Sequence, residues 1–67
     1  MEITINHKNF TLGDAAGLRE ALQAVQVTDT NGVAIAVNNQ VVPRADWPGY
    51  VLQPGDKITL IRATQGG

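Results

Sequence analysis

The sequence contains no cysteine and a single histidine, His7. The absence of cysteine excludes disulfide bonds, thiol catalysis and any cysteine-based metal site. One histidine forms no metal-binding cluster, and His7 lies in a polar, turn-like stretch, so we expect it to be solvated. No P-loop and no G-x-G-x-x-G motif follows a predicted strand, so the chain lacks the common phosphate-binding loops. We therefore predict no metal site and no cofactor bound by this chain.

Charge of either sign is also scarce. Five basic and six acidic residues give a formal net charge of −1, and the basic residues are scattered along the chain. Nucleic-acid binding requires clustered Lys and Arg, so we expect no nucleic-acid partner. No apolar stretch is long enough to span a membrane and no signal-peptide pattern opens the chain, which predicts a cytoplasmic protein without a membrane partner. The start at Met1 suggests natural termini.

With 67 residues, the chain is long enough for one small domain, residues 1–67. Residues 1–6 alternate between apolar and polar, which predicts a strand, and residues 6–9 predict a turn into a second strand at Phe10. Asp14 is the predicted N-cap of an amphipathic helix of about three turns. Its apolar stripe is formed by Leu18, Ala21, Leu22 and Val25.

The second half of the sequence predicts three more strands. Residues 33–37 alternate, the turn pair Asn38-Asn39 follows, and residues 40–42 form a short strand that ends at Pro43. Residues 53–56 have the Pro-Gly pattern of a type II turn, in which Asp56 is expected to stabilise the turn. The last strand spans residues 57–62, and residues 63–67 form a predicted flexible tail. This order predicts an α+β fold, the ubiquitin-like β-grasp, with a mixed sheet of about five strands and one main helix on one face.

The chain ends in Gly66-Gly67, directly after the last predicted strand. Glycine has no Cβ, so its backbone approaches another surface closely. A five-residue tail extends at most about 17 Å at ~3.4 Å per residue, which suits insertion into a narrow cleft. A frayed end is the plain alternative for such a terminus.

A larger pattern resembles the ThiS family, the sulfur carrier proteins of thiamine biosynthesis. It consists of the segment Val37 to Arg44, Trp47, the segment Gln53 to Ile58, and the final Gly66-Gly67. The resemblance covers essentially the whole chain in length and element order. No single part of this pattern is specific, but the combination is.

The resemblance implies a carrier rather than an enzyme. It implies that a ThiF-type adenylyltransferase, using ATP and Mg, adenylates the carboxylate of Gly67, with Gly66 providing the slender approach. Sulfur from a donor such as a cysteine desulfurase then gives a thiocarboxylate, which a ThiG-type thiazole synthase consumes. The alternatives are a sulfur carrier of another pathway, such as molybdopterin synthesis, a ubiquitin-like protein modifier, and a passive binding module.

The last predicted strand also suggests a docking surface. If Ile58 and Leu60 face the helix, Ile61 points to the opposite face of the sheet. There it would lie near Ala34 and Ala36, and together they would form a small apolar patch with Arg62 at its edge. We expect this patch to dock the activating enzyme. Trp47 is expected to be structural and Arg44 to be a surface charge.

Overall fold

The computed structural model describes residues 1–62. They form a five-stranded sheet with the strand order β2-β1-β5-β3-β4. The elements are β1 (Glu2–Ile5), β2 (Lys8–Thr11), α1 (Leu18–Ala24), β3 (Val33–Val37), β4 (Gln40–Val42), a 3-10 helix (Arg44–Gly49) and β5 (Lys57–Arg62).

The sheet is mixed, because β5 runs parallel to β1 and antiparallel to β3. The other neighbours, β1 with β2 and β3 with β4, are antiparallel hairpins. The last strand therefore occupies the centre of the sheet, between the two hairpins. This topology, with α1 on one face, confirms the predicted β-grasp.

Both hairpins turn through a pair of residues with positive φ. The angles are 50° at Asn6 and 71° at His7, and 52° at Asn38 and 70° at Asn39. Two successive left-handed residues make the tight turn that matches strand twist, and Asn tolerates this conformation well. The second turn was predicted correctly. The first is shorter than predicted, because β2 already begins at Lys8 rather than Phe10.

The helix begins later than predicted, and Asp14 is not its N-cap. Ala15 has a φ of 62°, a left-handed conformation that cannot continue into a right-handed helix, so α1 starts only at Leu18. Gly17 occupies the N-cap position, and its N–H donates to Oε1 of Glu20 at 2.7 Å. Asp14 instead lies 3.8 Å from the terminal amino group of Met1. The helix has seven residues, about two turns rather than three.

The core lies between α1 and one face of the sheet. Leu18, Ala21 and Leu22 of the predicted stripe are buried, whereas Val25 is only partly buried because the helix has ended there. The sheet face contributes alternating side chains. The buried core residues of the sheet and of the loop before β5 are Ile3, Ile5, Val33, Ile35, Val37, Val42, Leu52 and Ile58.

We predict that Gly17→Ala destabilises the fold by about 1–3 kcal/mol, the usual cost of overpacking. A Cβ at this position would lie 2.8 Å from the carbonyl oxygen of Tyr50, a backbone atom that cannot rotate away. Gly13→Ala is the matched control, because a Cβ there meets no heavy atom within 4 Å. Urea unfolding measures both variants. Equal stabilities would contradict the close approach of Gly17 to Tyr50.

The N-cap also predicts a pH dependence. The Gly17 N–H that donates to the Glu20 carboxylate is the main cause that lowers the pKa of Glu20 below its ordinary value of 4.5. Because the pKa is lower in the folded state, the ionised carboxylate stabilises the fold at pH values above the ordinary pKa. This stabilisation is lost as the pH falls through the lowered pKa. Glu20→Gln should therefore lose less stability between about pH 5 and pH 3 than the wild type. Parallel acid-unfolding curves for the two proteins would contradict this assignment.

Candidate functional site

The C-terminal strand is held on both sides. Register pairs with β1 are Thr4–Lys57 and Ile5–Ile58, and those with β3 extend from Val37–Ile58 to Val33–Arg62. The central strand thus leads directly to the C-terminal segment. Gly66, Gly67 and the whole predicted tail 63–67 lie outside the described residues, so their predicted roles stay predictions.

The face of the sheet away from α1 carries an apolar patch. Ala34 pairs directly with Ile61, and Ala36 pairs with Val41 on its other side. Side chains paired across antiparallel strands have Cβ atoms about 4.5–5.5 Å apart, so these residues are neighbours. Ile61 is 56% exposed and Val41 is 74% exposed. We call Ala34, Ala36, Val41 and Ile61 the outer apolar patch.

The register brings three of the four predicted docking residues onto this face. Arg62 is the exception, because it pairs with Val33, whose side chain is buried against the helix side. Side chains alternate along a strand, so Arg62 and Ile61 leave β5 on opposite faces. Arg62 therefore lies at the end of β5 and does not belong to the outer apolar patch.

Val41 belongs to the patch but was not identified from the sequence. Its neighbour Val42 is buried, so the alternation of β4 leaves Val41 on the outer face. The signal was present as two adjacent valines in a three-residue strand, of which only one can face the core. The sequence alone did not decide which of them it is.

The start of β5 is fixed by a buried carboxylate. Asp56 accepts hydrogen bonds from the Gln53 N–H at 2.8 Å and from the side-chain amide of Asn38 at 3.0 Å. Gly55 has a φ of 84°, as the predicted type II turn requires. The prediction that Asp56 stabilises its turn is confirmed.

Trp47 and Arg44 form a second feature, on the helix side. The Trp47 ring packs against the core while partly exposed, and its Nε1–H donates to the Val42 carbonyl at 2.9 Å. The Arg44 guanidinium lies 4.7 Å from the centre of this ring and donates to the hydroxyl of Thr30 at 3.1 Å. These contacts attach the segment after β4 to the body of the domain, which is a structural role.

Within residues 1–62, no three His, Asp or Glu side chains are grouped so that they could hold a metal ion. In the same part of the chain, no helix has the length and apolar character needed to cross a membrane. Near the end of β5, the described surface carries the outer apolar patch on the face away from α1.

Comparisons with known proteins agree with this architecture. The family model described as "ThiS family" matches residues 1–67. The sulfur carrier protein ThiS of Escherichia coli (strain K12) is 31% identical over 67 residues, which is 100% of both chains. A crystal structure of the thiamine biosynthesis protein ThiS from Geobacter metallireducens superimposes with a TM-score of 0.82 at 25% identity, covering 100% of both chains.

An NMR structure of a thiamine biosynthesis protein from Geobacter metallireducens gives a TM-score of 0.75 at 26% identity. It covers 100% of this chain and 88% of that one. The family model and the E. coli relative both extend over the full length, including the two terminal glycines. The chain belongs to the ThiS family.

Proposed function

We propose that this protein is a sulfur carrier of thiamine biosynthesis whose Gly67 carboxylate carries the sulfur. The observation that supports this most directly is the family match over residues 1–67, which includes Gly66-Gly67. The fold adds a physical reason, because the central strand β5 ends five residues before the terminal carboxylate. The body of the domain can then stay outside an active site that takes up the last residues.

The chemistry requires two exchanges at the Gly67 carboxyl group. A carboxylate is a poor electrophile, so the adenylyltransferase joins it to AMP from ATP and releases pyrophosphate. A persulfide on the sulfur donor attacks the acyl carbon and displaces AMP. A second thiol then cleaves the resulting acyl disulfide, which leaves the thiocarboxylate on Gly67 and a disulfide on the donor side. The thiazole synthase finally takes the sulfur for the thiazole ring.

The carrier acts as a co-substrate and not as an enzyme in this scheme. Its sequence has no cysteine to hold sulfur and no P-loop to hold ATP. ATP and Mg therefore bind to the ThiF-type adenylyltransferase. A cysteine desulfurase serves as the sulfur donor and a ThiG-type enzyme as the acceptor.

The outer apolar patch is the proposed docking surface for the adenylyltransferase. Ile61 lies one residue before the end of β5, so a partner that covers it is next to the origin of residues 63–67. Ala34 and Ala36 are small and Val41 is highly exposed, which gives a flat apolar surface. Arg62 is exposed at the end of the same strand but points to the opposite face, so it is not part of this proposed contact.

The proposed function is tested by intact mass spectrometry. The protein is incubated with a ThiF-type adenylyltransferase, MgATP, a cysteine desulfurase, cysteine and a thiol reductant. We expect a mass gain equal to the replacement of one oxygen by one sulfur. Deletion of Gly67 should abolish the gain, because the new terminus is displaced from the reacting position.

An AMP adduct that never gains sulfur would instead favour the protein-modifier alternative. An unchanged mass, with an adenylyltransferase proven active on another carrier, would contradict the proposal and favour a passive binding module.

Docking is tested with Ile61→Asp and Val41→Asp. Each places a charge in the centre of an apolar contact, so we expect KM for adenylation to rise about tenfold, equivalent to about 1.4 kcal/mol of binding free energy. Val51→Asp is the matched control, because Val51 is also an exposed apolar residue, at 53%, but pairs with Gly17 outside the patch. If the two patch variants keep the wild-type KM while folded, the patch is not the docking surface.

A further inference from the structure

The side chain of Asn6 binds the backbone of β5 far along the chain. Its amide oxygen accepts from the Leu60 N–H at 2.8 Å, and its amide nitrogen donates to the Leu60 carbonyl at 3.2 Å. Asn6 itself is held in the left-handed conformation of the first hairpin turn. We call these two hydrogen bonds the Asn6–Leu60 bridge.

The bridge continues the parallel pairing beyond the end of β1. The backbone N–H of Thr4 donates to the Asp56 carbonyl, and that of Asn6 donates to the Ile58 carbonyl. The two acceptors are therefore two residues apart, as in a regular parallel ladder. The next group in this series is Leu60, but the chain has turned at Asn6 and supplies no further strand. The side-chain amide of Asn6 replaces the missing strand, because its NH₂ group donates to Leu60 and its oxygen accepts from Leu60.

Within residues 1–62, the bridge is the last hydrogen bonding that β5 receives on its β1 side. Past Leu60, the strand pairs with β3 alone, through Ile61 and Arg62. The Leu60 side chain is only partly buried and lines an open groove with Phe10, Val25 and Val27. Packing at this end of the strand is therefore incomplete, which gives the bridge a larger share of the anchoring.

We propose that Asn6 is a positioning residue for the reaction at Gly67. By holding β5 at Leu60, Asn6 limits the number of residues between the anchored strand and Gly67. This number matters while the adenylyltransferase binds both the domain and the terminus. This inference rests on the proposed function. Asn6 touches neither ATP nor the reacting carboxylate and acts only through the backbone of β5.

The size of the effect follows from chain entropy. From Arg62, five residues span the distance to Gly67. The upper limit is reached if loss of the bridge also lets residues 59–62 open from β3, so that the anchored part of β5 ends at Ile58, where main-chain pairing with β1 ends, and the span becomes nine residues. Because the cost of placing a chain end grows as about 3/2 of the logarithm of its length, the probability of reaching the site falls up to about two- to threefold.

The chain contains a matched control at the other end of the same strand. Asn38 has nearly the same position in the second hairpin turn, with a φ of 52°. Its side-chain oxygen accepts from the Lys57 N–H at 3.0 Å, and its nitrogen donates to Oδ1 of Asp56 at 3.0 Å. Asn38 thus also makes two hydrogen bonds to the β5 region, but at the start of the strand and away from the terminus.

The experiment compares Asn6→Gly with Asn38→Gly. Glycine keeps the positive φ of each turn while removing the amide, so both variants are expected to fold, with the larger loss of stability in Asn38→Gly because it takes one partner from the buried Asp56 carboxylate. Amide hydrogen exchange is measured at Leu60, and KM and kcat are measured for adenylation. We expect Asn6→Gly to speed exchange at Leu60 and to raise KM about two- to threefold without changing kcat. Asn38→Gly should leave both the Leu60 exchange and KM near wild type.

Equal KM values for the two variants, or unchanged exchange at Leu60 in Asn6→Gly, would overturn the positioning role. Asn6→Asp refines the result, because its carboxylate keeps an acceptor for the Leu60 N–H but replaces the donor to the Leu60 carbonyl with an oxygen that cannot donate. We expect it to protect the Leu60 amide better than Asn6→Gly does. Failure of the wild type to be adenylated would refute the proposed function itself. If the wild type is adenylated and the two glycine variants have equal KM values, only the positioning role of Asn6 is refuted.

Discussion

The structure depends on the pairing of β5 at the centre of the sheet. This last strand joins two hairpins that are otherwise separate, since it pairs in parallel with β1 and antiparallel with β3. Its start is fixed by Asp56 and Asn38 and its far end by Asn6, so side chains from both hairpin turns hold the strand as well. In a domain of 67 residues, which buries a modest share of its surface, such a central strand contributes much of the tertiary structure. It also gives the C-terminal segment a fixed origin.

The two faces of the sheet differ in exposure, and we assign stability to one and propose recognition for the other. One face packs against Leu18, Ala21 and Leu22 of the helix, and together they form the buried core. No helix of residues 1–62 covers the other face, which carries exposed Ile61 near the end of β5 and exposed Val41 on β4. The sequence contains no P-loop that could bind ATP. The proposed division of labour follows, in which a partner supplies ATP chemistry and this chain supplies a carboxylate on an anchored segment.

Strand positions and the β-grasp order could be predicted, because the alternation in residues 33–37 and the turn pair Asn38-Asn39 are local signals that the structure retains. The helix start could not, because the left-handed backbone at Ala15 outweighs the cap preference of Asp14, and Ala carries no sequence sign of that conformation. The N-cap at Gly17 had a weak sequence signal, because Glu20 stands three residues later, at the position from which a side chain can accept from the N-cap N–H. The rest depended on strand register and on long-range contacts, because Ala36 faces Val41 only in the exact register of the second hairpin, and the bridge from Asn6 to Leu60 joins residues 54 positions apart.

We propose that the Gly67 carboxyl group, once converted to a thiocarboxylate, delivers sulfur to a thiazole. The most direct test loads the protein with isotopically labelled sulfur as its thiocarboxylate and presents it to a ThiG-type thiazole synthase with the other thiazole precursors. The account predicts that the label appears in the thiazole ring and that the carrier returns to the mass of the free carboxylate. A thiocarboxylate that persists beside a synthase proven active with another carrier would contradict it.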